Sequence, residues 1–165
     1  MTNHPLTGEP SVDGPWREPG LVKQAQRIVR SHLHFTGRCL IDVDVNGIDL
    51  ARALFEAPMV VVSHGTEADP VLNYGNATAL ALWSMTWEQF TRTPSRFTAE
   101  APNRDERARL LAAVTARGHI DDYSGVRISQ DGRRFRIARA TVWNLITETG
   151  EPCGQAATFR QWEWL

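Results

Sequence analysis

Gly118-His-Ile-Asp-Asp-Tyr-Ser-Gly-Val-Arg-Ile-Ser-Gln-Asp-Gly-Arg-Arg-Phe-Arg-Ile-Ala-Arg-Ala-Thr-Val-Trp-Asn-Leu-Ile-Thr147 is the stretch that decides the fold. After Gly118 the apolar residues recur with a period of two, in two β-rich runs, His119 to Ser129 and Arg133 to Thr147. The runs are joined by Gln130-Asp-Gly-Arg133. Asp-Gly supplies the positive-φ positions a tight hairpin needs. A second turn at Thr149-Gly-Glu-Pro152 leads to a third run, Cys153 to Trp162, which completes a three-stranded antiparallel meander. If the middle strand is regular, Phe135, Ile137, Thr141, Trp143 and Leu145 share one face, and Phe159 lies across from them. Tyr123 and Arg127, four apart, share a face of the first strand.

Upstream of the meander the pattern is helical. Asn103 and Glu106 have capping-box spacing before Ala108, Leu111 and Val114, which predicts a helix over Arg104 to Arg117 stopped by Gly118. Met59 to Val62 is a wholly apolar run, read as a strand buried on both faces, and Val71 to Tyr74 reads as a second strand. Asn76 caps a helix from Ala77 to Trp83, and Thr86 with Gln89 opens a short helix through Thr91. Nearer the N-terminus, Leu21, Ala25, Ile28, Val29, His32 and Leu33 form one helical stripe. A second helix starts at Asn46 or Asp49, presents Ile48, Ala51, Leu54 and Phe55, and stops at Pro58. These two helices are expected to pack on the sheet or on a second copy of the chain. Residues 1–19, with four prolines, read as a flexible tail. The expected organisation is therefore tail 1–19, helical extension 20–58 and an α+β domain over 59–165.

The composition is that of an ordinary globular domain: 165 residues, 42% hydrophobic and 22% charged. A net charge of −1 gives no electrostatic reason to expect a nucleic-acid or membrane partner. Lys23 is the sole lysine, and the arginines are spread along the chain rather than gathered into a basic patch. No apolar run spans a bilayer, and the first residues lack the basic-then-apolar order of a secretory signal. Cys39 and Cys153 make neither a disulfide framework nor a zinc pattern. The expected location is the cytoplasm.

Several blocks resemble the MEKHLA domain, a PAS-related module. They are Asn73-Tyr-Gly-Asn76, Pro94-Ser-Arg-Phe-Thr-Ala-Glu100, Tyr123-Ser-Gly-Val-Arg127, Gly132-Arg-Arg-Phe135 and Gly154-Gln-Ala-Ala-Thr-Phe159, in order along residues 20–162. Such modules occur at the C-terminus of plant class III homeodomain-leucine-zipper transcription factors and as small bacterial proteins. The resemblance implies a PAS-like five-stranded antiparallel sheet with a helical crossover around a small cavity. It also implies a sensory or interaction role; homodimerisation is expected from the N-terminal helix at Leu21 to Leu33, which would form the contact or cover the sheet. The resemblance implies no catalytic activity. The transcriptional setting does not transfer, because this chain has neither homeodomain nor zipper.

The residues expected to line a ligand cavity are Tyr74, Asn76, Trp83, Trp87, Arg96, Tyr123, Arg127, Phe135, Trp143 and Phe159. A cavity of this kind suits a small apolar or aromatic molecule, with Arg127 or Arg96 holding a carboxylate or phosphate. The plainer alternative is that the aromatics close-pack the core. Arg96 and Glu100, four apart, would alternatively pair with each other. Flavin-binding light-sensing PAS domains carry a reactive cysteine in a Cys-Arg-Phe-like sequence of the crossover. The comparable piece here is Ser95-Arg96-Phe97, and serine cannot supply a thiolate. Sequence alone therefore names no cofactor. His32 and His34 do not face one another on a helix, so a shared metal is not expected. The competing class is a small cone-shaped enzyme of the nuclear-transport-factor type, an isomerase or cyclase. It would work through a pocket carboxylate or histidine among His64, Asp69, Asp121, Asp122 and His119.

Overall fold

The computed structural model describes residues 14–42 and 44–165, with the side chains of residues 101–103 outside the description. The proline-rich stretch expected as a tail lies mostly beyond these residues, but its described end is folded. Pro15–Arg17 forms a 3₁₀ turn that buries Trp16 against Phe55, ring centroids 5.5 Å apart.

Two helices follow, α1 (Pro19–Thr36) and α2 (Gly47–Phe55). Leu21, Ala25, Ile28 and His32 of α1 are buried, as the stripe predicts, whereas Leu33 is exposed. Gly37 in the left-handed region ends α1, a conformation that a residue without a Cβ adopts at little cost. In α2, Ala51, Leu54 and Phe55 face inward, but Ile48 points to solvent because the helix begins at Asn46 and turns its first residues outward.

The sheet comprises β1 (Val60–His64), β2 (Leu72–Gly75), β3 (His119–Ile128), β4 (Arg134–Ile146), β5 (Pro152–Phe159) and β6 (Gln161–Trp164). Every pairing is antiparallel and the order is β2-β1-β5-β4-β3, with β6 paired to β4. The crossover from β2 to β3 contains α3 (Ala77–Trp83), α4 (Trp87–Phe90), a 3₁₀ turn at Ser95–Thr98 and α5 (Ala101–Arg117). Both sides of the Thr86/Gln89 capping box form. The expected cap of α5 at Asn103 is corrected: the helix starts earlier, after Glu100, with Pro102 in its first turn, where a missing N–H costs nothing.

A sixth strand and a change of facing share one cause. Arg139 of β4 and Asp122 of β3 both have positive φ, 53° and 60°. β5 pairs with β4 from Thr141 to Ile146 and β6 pairs from Phe135 to Ala138, so the expected single last strand breaks at Arg160, opposite the irregular pair Arg139 and Ala140. Against β3, β4 carries one extra residue between Ile137 and Ala140, which reverses the alternation. Phe135 and Ile137 face the crossover together with Ala140 and Val142, while Trp143 and Leu145 face α1. The expectation that Phe135 and Trp143 share a face is corrected on this ground.

The sheet thus has two covered faces. On one, α1 and α2 close over Met59, Val61, Tyr74, Trp143 and Leu145. On the other, the crossover closes over Val60, Leu72, Phe135, Ile137 and Phe159. No described helix is long and apolar enough to cross a membrane.

Candidate functional site

On the crossover face the packing leaves a cavity of about 70 Å³. Ile137, Ala140 and Val142 of β4 and Phe159 of β5 form its floor. Trp83 of α3, Phe90 of α4 and Leu110 and Leu111 of α5 form its roof. The walls are mainly apolar, and the polar side chains are Ser63, His64, Ser95, Thr98, Arg107, Tyr123, Arg127 and Gln155.

Each polar group is placed by its element. Arg107 stands on the α5 stripe that also carries Leu110, Leu111 and Val114, so helical spacing turns it toward the sheet. Its Nη2 donates to Ser95 Oγ at 2.7 Å. Arg127 is 7% exposed; its Nη1 donates to the Val126 carbonyl at 2.8 Å and its Nη2 to the Tyr123 hydroxyl at 3.2 Å. Burial lowers the Arg107 guanidinium to about 10, with the positive charge of Arg127 adding to the effect. Arg107 is therefore still cationic at neutral pH. The Gln155 amide donates to the Leu111 carbonyl and to Asn144 Oδ1, which ties α5 to β5 and β4.

His64 ends β1 with Nδ1 at 2.8 Å from the Gly65 carbonyl, so Nδ1 carries the proton of the neutral ring. Burial lowers its pKa, against the pull of that hydrogen bond. Nε2 of His64 and Nε1 of Trp83 are both buried without a partner. Unpaired polar atoms in a protein interior are uncommon and invite a functional explanation.

Of the expected lining residues, Trp83, Tyr123, Arg127 and Phe159 meet at the cavity. Phe135 lies one layer behind, its ring 5.3 Å edge-on from Trp83. Trp143 is on the opposite face, edge-on to His32 at 4.8 Å. Tyr74 and Trp87 are also on that face, 5.9 Å apart, with burial pushing the Tyr74 phenol up. Asn76 is fully buried away from the cavity, bonding the backbone of Met59, Val61 and Ala79. Arg96 is exposed, bound to both oxygens of Asp69 at 3.0 and 3.1 Å rather than to Glu100. Sequence reasoning passed over Arg107, although a charged residue on an otherwise apolar helical stripe was the available signal.

Among the proposed enzyme groups only His64 reaches the cavity. Asp121 is at the surface, where its hydrogen bond from Arg38 holds the carboxyl below its ordinary range. His119 pairs with the same Asp121, while Asp69 and Asp122 are exposed.

The model of the family described as the MEKHLA domain matches residues 22–164. The chain belongs to the MEKHLA domain family. Among solved structures, the PAS domain of a protein from Colwellia psychrerythraea superposes with a TM-score of 0.60 at 15% identity, covering 68% of this chain and 93% of that one. An RNA-binding Light-Oxygen-Voltage receptor gives a TM-score of 0.55 at 16% identity, over 67% of this chain and 31% of that one. The LOV protein of Rhodobacter sphaeroides gives 0.55 at 14% identity, over 69% and 64%. No curated protein matches in sequence. The MEKHLA chain therefore has the fold of PAS and LOV domains.

The LOV likeness raises flavin as a cofactor, and these residues do not fit it. A cavity of roughly 150 Å³ admits one benzene ring, and the space here is about 70 Å³. Ser95, at the cavity wall in the crossover, offers a hydroxyl and no thiol. A three-ring isoalloxazine would have to displace Trp83 and Phe90 from the roof.

Proposed function

We propose that this MEKHLA domain is a non-catalytic sensory module, cytoplasmic, that takes a small and mostly apolar ligand between its sheet and its helical crossover. The observation that carries this reading is the mainly apolar cavity between sheet and crossover with two guanidiniums, Arg107 and Arg127, in its lining. A molecule with one polar end would meet these guanidiniums while its remainder packed against Leu110, Ile137 and Phe159. General acid–base chemistry normally needs two groups of different pKa at the reacting centre. Here no carboxylate lines the cavity among the described residues, which favours binding over catalysis.

Ligand occupancy would be passed to a protein partner or a second copy. The apolar stripe of α1 is not available for that contact, since Leu21 and Ile28 are buried on the chain's own sheet. Leu33, Ile48 and Phe97 are large apolar side chains left exposed for it. Sedimentation velocity at tens of micromolar is expected to show a dimer, and a lone monomer boundary would remove homodimerisation from the proposal.

The ligand reading is tested by native mass spectrometry and by titrating small fragments into ¹⁵N-labelled protein while following the Trp83 indole signal. Saturable shifts are expected in the wild type. They should disappear in Ala157→Leu, which fills the cavity from the centre of the sheet. No retained mass, no responding fragment and an Ala157→Leu protein indistinguishable from wild type would overturn it.

A further inference from the structure

We infer that the ligand of this cavity is a short monocarboxylate, of acetate or propionate size, its carboxylate held between Arg107 and Arg127 and its chain laid against the apolar floor. The inference rests on the cavity being a ligand site and adds the chemistry of the ligand.

Two guanidiniums line one small cavity, and neither makes an ion pair among the described residues. Elsewhere on the chain Arg96 holds Asp69 and Arg134 reaches Glu100. Arg127 is 7% exposed, and each guanidinium feels the other's charge. Buried charges are normally paired, because desolvating an ion without a counter-charge is costly. Asp69 opposes the repulsion at Arg107 from a distance, but no carboxylate among the described residues lines the cavity itself.

The donor inventory points the same way. A guanidinium carries five N–H groups. Arg107 uses one on Ser95 Oγ, and Arg127 uses two, on the Val126 carbonyl and Tyr123 hydroxyl. None of the nitrogens of either residue is both sealed and unbonded, so the remaining N–H groups open onto accessible space. A planar carboxylate accepts bidentately from such forks. Ser95 and Tyr123 orient the two arginines without neutralising them, which leaves the charge for the ligand.

Size and wall chemistry set the rest of the molecule. About 70 Å³ is roughly half of a benzene-sized cavity. This admits a few heavy atoms and no aromatic ring. Inorganic phosphate would satisfy the arginines but leave Leu110, Ile137, Val142 and Phe159 facing a hydrated anion. An aliphatic chain of one or two carbons matches them.

The test uses the full chain and three probes, propionate, propionamide and inorganic phosphate, each titrated while the Trp83 indole signal is followed. The other tryptophans serve as internal controls, and a Trp83→Phe variant assigns the signal. Propionate is expected to give a saturable shift, with propionamide and phosphate at least tenfold weaker. Arg107→Met and Arg127→Met, which keep the apolar stem, should each weaken propionate tenfold or more. Arg127→Lys, which keeps the charge and loses the fork, should fall between, and it guards against a Met variant that misfolds. Equal binding of propionamide, or undiminished binding by the Met variants, overturns the carboxylate while leaving the cavity a ligand site. Phosphate binding as tight as propionate shows a general anion hole and also overturns it. If neither propionate nor propionamide binds, the ligand site itself fails.

Discussion

Both ends of the Asn76 amide are engaged inside the protein. Its Oδ1 accepts from Ala79 N and Val61 N, each at 3.1 Å, and its Nδ2 donates to the Met59 carbonyl at 2.7 Å. One side chain thereby caps α3, holds β1 and fixes the end of the α2 connection. Asn76→Ala would strand several buried backbone groups, each worth about 1–3 kcal/mol, and remove a cap worth about 1 kcal/mol. Partial rescue by relaxation leaves an expected loss of about 3 kcal/mol, or a fall in Tm of about 6–12 °C, measured by urea and thermal unfolding. Histidines set the pH response at this scale. Burial lowers the pKa of both His64 and His32 below 6.5, the favourable backbone contacts to Gly65 and Arg38 notwithstanding. Arg107 lowers His64 further and Glu67 opposes it; Arg38 and His119 lower His32 and Asp121 opposes them. The unfolded chain therefore binds more protons than the folded one once the pH drops through 6.5, and stability falls until the folded-state values are passed. Urea midpoints should decrease from pH 7.5 to 5.5, and His64→Gln should make that decrease shallower. An unchanged slope would show that His64 does not resist protonation in the fold.

At the scale of elements, β5 is held to β1 by a close approach that a side chain would prevent. Gly154 has φ of 146°, and a Cβ there would run into the His64 carbonyl. Gly154→Ala is expected to cost at least 3 kcal/mol or to yield insoluble protein, since neither strand can retreat without breaking the register Ser63 to Ala156. Circular dichroism and urea unfolding read it directly, and a protein of wild-type stability would show that the two backbones can part. Much of this layer was legible from residue order. The Asp131-Gly132 hairpin, the Asn76 cap and the Thr86/Gln89 box all rest on local chemistry, and all are in place. The facing of β4 was not legible. Arg139 has no residue-type signal for positive φ, and Ala140, Val142, Trp143 and Leu145 put apolar residues in both phases of the alternation. That single reversal is why Trp143 lies under α1 while Phe135 stays near the cavity. The site was half legible for the same kind of reason: Tyr123 and Arg127 follow from one strand's period, whereas meeting Arg107 requires knowing how α5 crosses the sheet.

For the molecule as a whole, the sheet is shared by two layers, and neither layer can be removed without exposing the strands that the other uses. The helical extension read from the sequence as residues 20–58 covers Met59, Val61, Tyr74, Trp143 and Leu145. Burying each large apolar side chain is worth about 1.5–3 kcal/mol, so uncovering these five forfeits about 10 kcal/mol. That is comparable to the entire stability of an ordinary domain, about 5–15 kcal/mol. The strands that carry those residues also floor the cavity: Val61 and Val62 are neighbours in β1, and Val142 and Trp143 are neighbours in β4. A ligand that shifts β4 on the crossover face must therefore move the surface on which α1 rests, which is a direct mechanical route from the cavity to the N-terminal helices. Two results are expected. The full chain should unfold in one transition, with tryptophan fluorescence and far-UV circular dichroism superimposing. A chain of residues 58–165 should be insoluble, or bind a hydrophobic dye and lack the dispersed amide spectrum of a packed core. A well-dispersed spectrum from that shorter chain would make the helices an appended domain and break the route from cavity to α1.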